Sequence, residues 1–313
     1  MVRPDKRTAR KGDFRAVVLF NRRIGARNYR LGLRFSSEAN QAFSGFQPGQ
    51  FVEIDLSQTA LPAAHAIPAD LADKAARQIL LRRPFSFSSL QVSDESLDAE
   101  LLYCVVGPAT LRMTTLREGD SLQVLGPLGH GFTAPAGLRS ALLVAGGMGA
   151  PPIQHLARIL DRDHRKVMKV AFVGARTRED LPFEIQGQAS VREFTDLGIE
   201  HQVATDDGSI GHKGLVTQCL EQWLKGHPKE ARKTMLVYAC GPEPMLAAVA
   251  QIALQAGIDC QVSMERRMAC GFGVCQGCTV ECRSGKGGET AYRLCCQDGP
   301  VFNASEVVFE ASP

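Results

Sequence analysis

Cys270, Cys275 and Cys278 stand in the spacing C-x4-C-x2-C, and Cys295 and Cys296 follow 17 and 18 residues after Cys278. Three thiolates on one short loop plus a distant fourth is the plant-type pattern for a 2Fe-2S cluster, in which the loop wraps the cluster and the last cysteine closes the cage. Gly271, Gly273 and Gly277 let such a loop curl and bring backbone N–H groups towards the sulfurs, which stabilises the negative charge held there. The competing use, structural zinc, favours two C-x2-C pairs, and only one is present. Six of the ten cysteines fall between Cys270 and Cys296. No apolar leader follows the basic start MVRPDKRTARKGDF, and in a chain without an export signal such density points to a metal centre rather than to disulfides. Cys282 reads as an unligated thiol near the loop. Cys104, Cys219, Cys240 and Cys260 lie in apolar segments and read as buried bystanders.

Three other constellations are individually weaker. In RRPFSFSS, Arg82 to Ser89, the Arg83 fork suits a pyrophosphate, Phe85 can pack on a flat ring, and the Ser86 hydroxyl can reach a ring nitrogen. Strict strand alternation separates Ser86 from Arg83 and Phe85, so a bend is needed for all three to meet one ligand. AGGMGAPP, Ala145 to Pro152, follows a strand and opens a helix, where N–H groups and the positive helix end attract phosphate. It lacks the G-x-G-x-x-G spacing of the general dinucleotide fingerprint. ACGPEPM, Ala239 to Met245, ends a later strand, and its Cys240 and Gly241 can lie against a nicotinamide ring; a buried thiol before a helix-starting Pro is the plain alternative.

The elements that must position these residues divide the chain. Its 313 residues exceed one usual domain, and 44% hydrophobic with 22% charged residues reads as soluble and globular. A net charge of +3 is too small to argue for nucleic acid, and no apolar run approaches the length of a membrane span. Residues 1–12 read as a flexible tail. From 13 to 136, short strands (RAVVLF, YRLGLRF, GQFVEIDL, RPFSFSSL, AELLYCVV, DSLQVLG) suggest a small antiparallel barrel. It is interrupted by an Ala-rich insertion at about 57–81 that could form a surface helix after Pro68. From 137 to 258, strand and helix alternate, implying a doubly wound parallel sheet with ligands beyond the carboxyl ends of its strands. The terminal segment, 259–313, is too short to build much core alone and needs a staple.

Together, RPFS in a barrel, AGGMGAPP, ACGPEPML and the terminal cysteine pattern are similar to the ferredoxin reductase superfamily. More narrowly, SMERRMACGFGVCQGC followed by CCQDGPVF resembles the electron-transfer subunits of the NAD-linked dihydroorotate dehydrogenases, over essentially the whole chain after the tail. The resemblance implies that Arg83, Pro84, Phe85 and Ser86 hold FAD, with Gly107 and Thr110 at its phosphate turn. It implies that Gly146, Gly147, Gly149, Asp207, Gly208, Cys240 and Gly241 face NAD, and that Glu265 and Arg267 brace the cluster loop. It selects Cys296 over Cys295, so the metal ligands are Cys270, Cys275, Cys278 and Cys296. Two features depart from the family: Pro108–Ala109, where a glycine is common at 109, and the insertion before RRPFS.

The implied activity is an electron relay in which the cluster handles single electrons and FAD exchanges a hydride with NAD; no residue of this chain needs to act as acid, base or nucleophile. The implied partner is an FMN-containing dihydroorotate dehydrogenase catalytic subunit, in a heterotetramer, in the cytoplasm, serving pyrimidine biosynthesis. Alternatives are a reductase subunit serving a hydrogenase, sulfite reductase or oxygenase, and a zinc-bearing regulatory protein on the same scaffold. Arg176 and Arg178 stand where a 2′-phosphate would be read, so NAD against NADP stays open on the residues alone.

Overall fold

The computed structural model describes residues 11–93, 95–187, 189–285 and 288–309. Residues 1–10 of the expected tail lie outside them, and Gly12 already belongs to the first strand.

Six strands form the barrel: β1 (Gly12–Arg23), β2 (Asn28–Ser36), β3 (Phe51–Asp55), β4 (Arg83–Val92), β5 (Ser96–Cys104) and, after helix α1 (Pro108–Met113), β6 (Ser121–Leu128). They close in the order β1-β2-β5-β4-β3-β6, every pair antiparallel. Alternation drives closure: Ala16 and Val18, Leu31, Leu33 and Phe35, and Val52 and Ile54 turn inward and are buried. Phe35, Phe43 and Phe87 meet inside with ring centroids 5.5–6.3 Å apart.

The insertion turns helical directly after Pro68, as expected, but only briefly. It holds a 3-10 turn at Ala69–Leu71 and a single α-turn at Ala72–Ala75. Tertiary contacts bend it onto the barrel before a longer helix can run: Arg27 grips Asp70 through two hydrogen bonds, Arg112 Nη1 donates to the Ala75 carbonyl at 2.9 Å, and Leu71, Ala75 and Ile79 are buried.

The second layer system holds β7 (Ser140–Gly146), α2 (Ala150–Asp163), β8 (Met168–Ala175), β9 (Glu200–Thr205), β10 (His212–Lys213), α3 (Val216–Lys225), β11 (Met235–Cys240), α4 (Glu243–Ala256) and β12 (Asp259–Ser263). In β7 and β11 every residue is buried, as a parallel strand covered on both faces requires. Pro151 and Pro152 occupy the first turn of α2, where a missing N–H costs no helical bond. Gly257 ends α4 in the left-handed conformation, φ 70°.

In the terminal segment, β13 (Thr279–Arg283) and β14 (Thr290–Leu294) make a hairpin, and β15 (Val301–Asn303) returns to the main sheet. The sheet order is β10-β9-β8-β7-β11-β12-β15, parallel except for the antiparallel last pair. Residues 259–263, which the sequence boundary assigns to the cluster segment, are therefore a strand of the nucleotide sheet. Their buried run CQVS pairs along β11 and continues the same buried layer. The segment also borrows a core: Cys278, Val280, Cys295, Cys296, Phe302 and Val307 pack in one cluster with Val262 of the sheet and Phe51 of the barrel. A buried ion pair, Arg30 with Glu193, joins β2 of the barrel to the helical turn Arg192–Thr195 that precedes β9. Among the described residues no helix is long and apolar enough to cross a membrane.

Candidate redox site

Two cavities meet where the barrel faces the carboxyl edge of the sheet. The first, of about 450 Å³, is lined by Phe51, Pro84, Phe85, Ser86, Thr110 and Cys240, among others. Phe85 and Ser86 pair across β3 with Val52 and Phe51, and both line the cavity although alternation assigns them opposite faces. The ladder slips between Phe87 and Ser89, an irregularity that accompanies a bent strand. Arg83 is not among the lining residues. Its guanidinium donates to the Leu81 and Arg82 carbonyls at 2.7 and 3.0 Å. Thr110 lines the cavity while its hydroxyl accepts the Val106 and Gly107 N–H groups at 3.0 and 3.2 Å. Gly107 thus shapes the start of α1 without lining the cavity. The departure at Pro108–Ala109 is accommodated: Pro108 sits in the first turn of α1, and Ala109 is buried in the barrel core.

The second cavity, of about 410 Å³, lies beyond the ends of β7, β8, β9 and β11 and is lined by Gly146, Gly147, Arg176, Asp206 and Pro242, among others. Gly149 lies beneath it: a Cβ there would stand 2.1 Å from the Cys240 carbonyl oxygen, so this glycine permits contact between the two strand-end turns. Gly241 joins the two cavities, following Cys240 in one and preceding Pro242 in the other. Asp207 and Gly208 line neither. The Asp207 carboxylate accepts from the Ser209 N–H and hydroxyl at 2.9 and 2.6 Å, and those two bonds hold its pKa below the usual range. Asp206 takes the place expected of Asp207. Arg176 lines the cavity and pairs with Asp180 at 3.3 Å, while the Arg178 N–H donates to Ser209 Oγ at 2.8 Å.

Cys104 and Met148 line both cavities. Cys104 is half-buried at the end of β5 rather than enclosed in a core. Nothing local marks it, because its position between cavities comes from the packing of barrel on sheet. Cys240 does fit its alternative reading as a buried thiol: desolvation raises its pKa far above the ordinary value.

The segment leading into the cysteine loop adjoins the first cavity through Ser263, Met264, Glu265, Arg266 and Met268. Glu265 lines that cavity, and desolvation by the surrounding protein raises its carboxyl. Arg266, rather than Arg267, braces the segment: its Nε donates to the Thr279 carbonyl at 3.1 Å and its Nη1 to Glu243 at 2.8 Å, while Arg267 stands exposed. The sulfurs come in pairs. Cys270 Sγ and Cys275 Sγ are 3.4 Å apart, and the Cys296 N–H points at Cys278 Sγ, also at 3.4 Å. Burial pushes the Cys270 thiol up, but N–H groups of Cys275, Phe272 and Val274 outweigh it and bring the pKa down to about 6. Burial and the neighbouring Cys278 push Cys296 up to about 12. Cys295 faces away, its thiol donating to the Met264 carbonyl at 3.3 Å. Cys282 is buried in β13. Among the described residues no three such groups surround a point that could hold a single metal ion. Two dithiol pairs, with N–H groups aimed at sulfur, fit a two-iron cluster with two thiolates per iron better than one zinc.

Sequence reasoning gave no role to Glu53. It projects outward from β3, is 1% exposed, and among the described residues neither carboxylate oxygen has a hydrogen-bond partner. Desolvation pushes its pKa up to about 7, against the pull of Arg83 and Arg82.

Residues 265–308 match the iron-sulfur cluster binding domain of dihydroorotate dehydrogenase B, and residues 143–251 match the oxidoreductase NAD-binding domain. The chain is 38% identical over 300 residues to the dihydroorotate dehydrogenase B (NAD(+)) electron transfer subunit of Geobacillus thermodenitrificans, covering 95% of this chain and 99% of that one. It is 34% identical over 295 residues to the subunit of the same name from Caldanaerobacter subterraneus subsp. tengcongensis, covering 94% and 98%. Among solved structures, one described as an NADH-dependent reduced ferredoxin-NADP oxidoreductase shares the fold, with a TM-score of 0.70 at 24% identity, covering 94% of this chain and 90% of that one. A ferredoxin reductase of carbazole 1,9a-dioxygenase shares it with a TM-score of 0.57 at 22% identity, covering 80% and 68%. With relatives of this identity matching nearly end to end, the chain belongs to the family of dihydroorotate dehydrogenase B electron transfer subunits.

Proposed function

We propose that the chain carries electrons between NAD and a dihydroorotate-oxidising partner subunit, using FAD and a 2Fe-2S cluster bound at the sites above. The observation that carries this reading is contiguity: the segment leading into the cysteine loop borders the first cavity, and the first cavity shares Cys104 and Met148 with the second. Bound FAD supplies the exchange between single-electron and hydride chemistry.

The residues of this chain bind, orient and exclude water. Pro84, Phe85 and Ser86 form the wall for the flavin ring, and Thr110 holds the turn that opens α1. Arg83 reaches a pyrophosphate only by leaving its two carbonyl partners. Gly146 and Gly147 let a nucleotide approach backbone at the opening of α2, with Asp206 and Arg176 at the outer end. Cys240 and Gly241 form the partition at which nicotinamide and flavin meet. Cys270 and Cys275 form one pair of iron ligands, Cys278 and Cys296 the other. The working divisions are a flavin barrel over 13–136, a nucleotide domain from 137 that takes in 259–263 and 301–303, and a cluster segment between those two strands. The compartment is the cytoplasm, as suits a partner in pyrimidine biosynthesis.

The test is the purified chain with its cofactors. Expected are flavin and iron-sulfur absorption, NADH-driven reduction of artificial acceptors, and no dihydroorotate oxidation until an FMN-bearing partner is added. Dihydroorotate turnover by the isolated chain, or a colourless protein holding zinc, overturns the assignment.

A further inference from the structure

Glu53 lies on the seam between barrel and cluster loop, and its surroundings are unusual for a carboxylate. Val52 and Ile54 point into the barrel, so Glu53 points out, into the space closed by the cysteine loop. The fit against Gly271 is close: a Cβ on that glycine would stand 2.6 Å from Glu53 Oε1 and 2.7 Å from its Cγ. Gly271 is left-handed, φ 73°, and immediately follows Cys270. On the strand, Glu53 pairs with Pro84 of β4 and Leu125 of β6, neither of which can neutralise it. The cations nearest it are committed elsewhere: Arg82 forms a two-bond pair with Asp13, and Arg83 donates to two backbone carbonyls. A buried carboxylate with no partner is costly, and it is retained here at the backbone of a proposed cluster ligand.

We infer that Glu53 is a positioning residue that sets the reduction potential of the cluster, its buried negative charge beneath Gly271 disfavouring the added electron and so holding the cluster at lower potential than the loop alone gives. The inference rests on the cluster reading above. Its physical basis is Coulombic: Glu53 is itself shielded from water, and an anion fixed there against the cysteine loop would raise the energy of a reduced, more negative cluster. Hydrogen bonds, net charge and solvent exposure are the ordinary determinants of such potentials, and Glu53 changes the charge without touching a sulfur.

The experiment is a redox titration of the loaded chain at pH 9, following the cluster by its reduced electron paramagnetic resonance signal and the flavin by absorbance. Glu53→Gln keeps the shape and removes the charge. The expected result is a tenfold or larger rise in the reduced-to-oxidised cluster ratio at fixed ambient potential, an upward shift of about 59 mV or more for a one-electron couple, with a smaller shift for the flavin. Glu53→Leu is expected to shift the potential in the same direction. An unmoved cluster potential, or an equal shift of the flavin, overturns the inference while leaving the cluster assignment intact. Loss of the cluster from both variants with FAD retained also overturns it, because the residue then supports the loop mechanically. A wild-type chain that binds no iron and sulfide overturns both.

Discussion

Replacing Gly149 by alanine is the sharpest available probe of how the two cavities are joined. The added Cβ would stand 2.1 Å from the Cys240 oxygen, 2.2 Å from its carbon and 2.5 Å from the Gly241 nitrogen. Ordinary contact begins near 3.4 Å, so one turn must retreat from the other by more than about 1 Å. All three atoms are backbone at the end of a strand buried throughout, so no side-chain rotation relieves the overlap. Overpacking of this kind costs about 1–3 kcal/mol in stability. The larger effect is functional, because the displaced Cys240–Gly241 turn is the proposed partition between flavin and nucleotide, and a shift of about 1 Å in such alignment lowers a rate by about 100-fold. Single-turnover reduction of bound FAD by NADH, with urea unfolding in parallel, measures both. Gly257→Ala is the control: its Cβ meets open space at φ 70° and pays only the left-handed penalty of about 1–2 kcal/mol, with hydride transfer unchanged. Wild-type flavin reduction in Gly149→Ala would refute the reasoning.

Cys296→Ala is expected to lose iron and the cluster's absorption, whereas Cys295→Ala keeps both and loses about 1 kcal/mol with its bond to the Met264 carbonyl; the reverse pattern in iron analysis would exchange the ligand assignment. Glu53, with its pKa raised from an ordinary 4.5 to about 7, keeps a proton when folded that it loses when unfolded. Its contribution is therefore full below about pH 4.5 and is lost as pH rises to about 7, so Glu53→Gln should gain about 3 kcal/mol on wild type between pH 4.5 and 8 in urea unfolding; a pH-independent difference contradicts this. Arg30→Ala leaves Glu193 buried without its cation at the joint between the barrel and the Arg192–Thr195 turn and should cost about 3–5 kcal/mol. Calorimetry showing less than about 1 kcal/mol would mean the joint is hydrated.

Six barrel strands, the alternating strands and helices, and the cysteine spacing were legible because each is a local signal: period-two burial, apolar runs ended by glycine, and thiols within one loop. Ser86, Phe85, Thr110, Gly146 and Gly147 line the cavities their motifs suggest. Other residues were misplaced by reasoning that stays within a motif. Asp206 rather than Asp207 faces the second cavity, since one residue of turn geometry reverses a side chain. Arg266 rather than Arg267 braces the loop because its partner, Glu243, lies on another element.

By itself, then, the sequence determined the elements, the family and the chemistry of the cysteine loop, since these depend on neighbours along the chain. Only the tertiary structure decided that Cys104 and Met148 stand between two cavities, that 259–263 completes the nucleotide sheet, and that Glu53 sits beneath Gly271. Each depends on pairings between segments remote in sequence, where burial and charge arise from the packing of one domain on another and leave no trace in local periodicity.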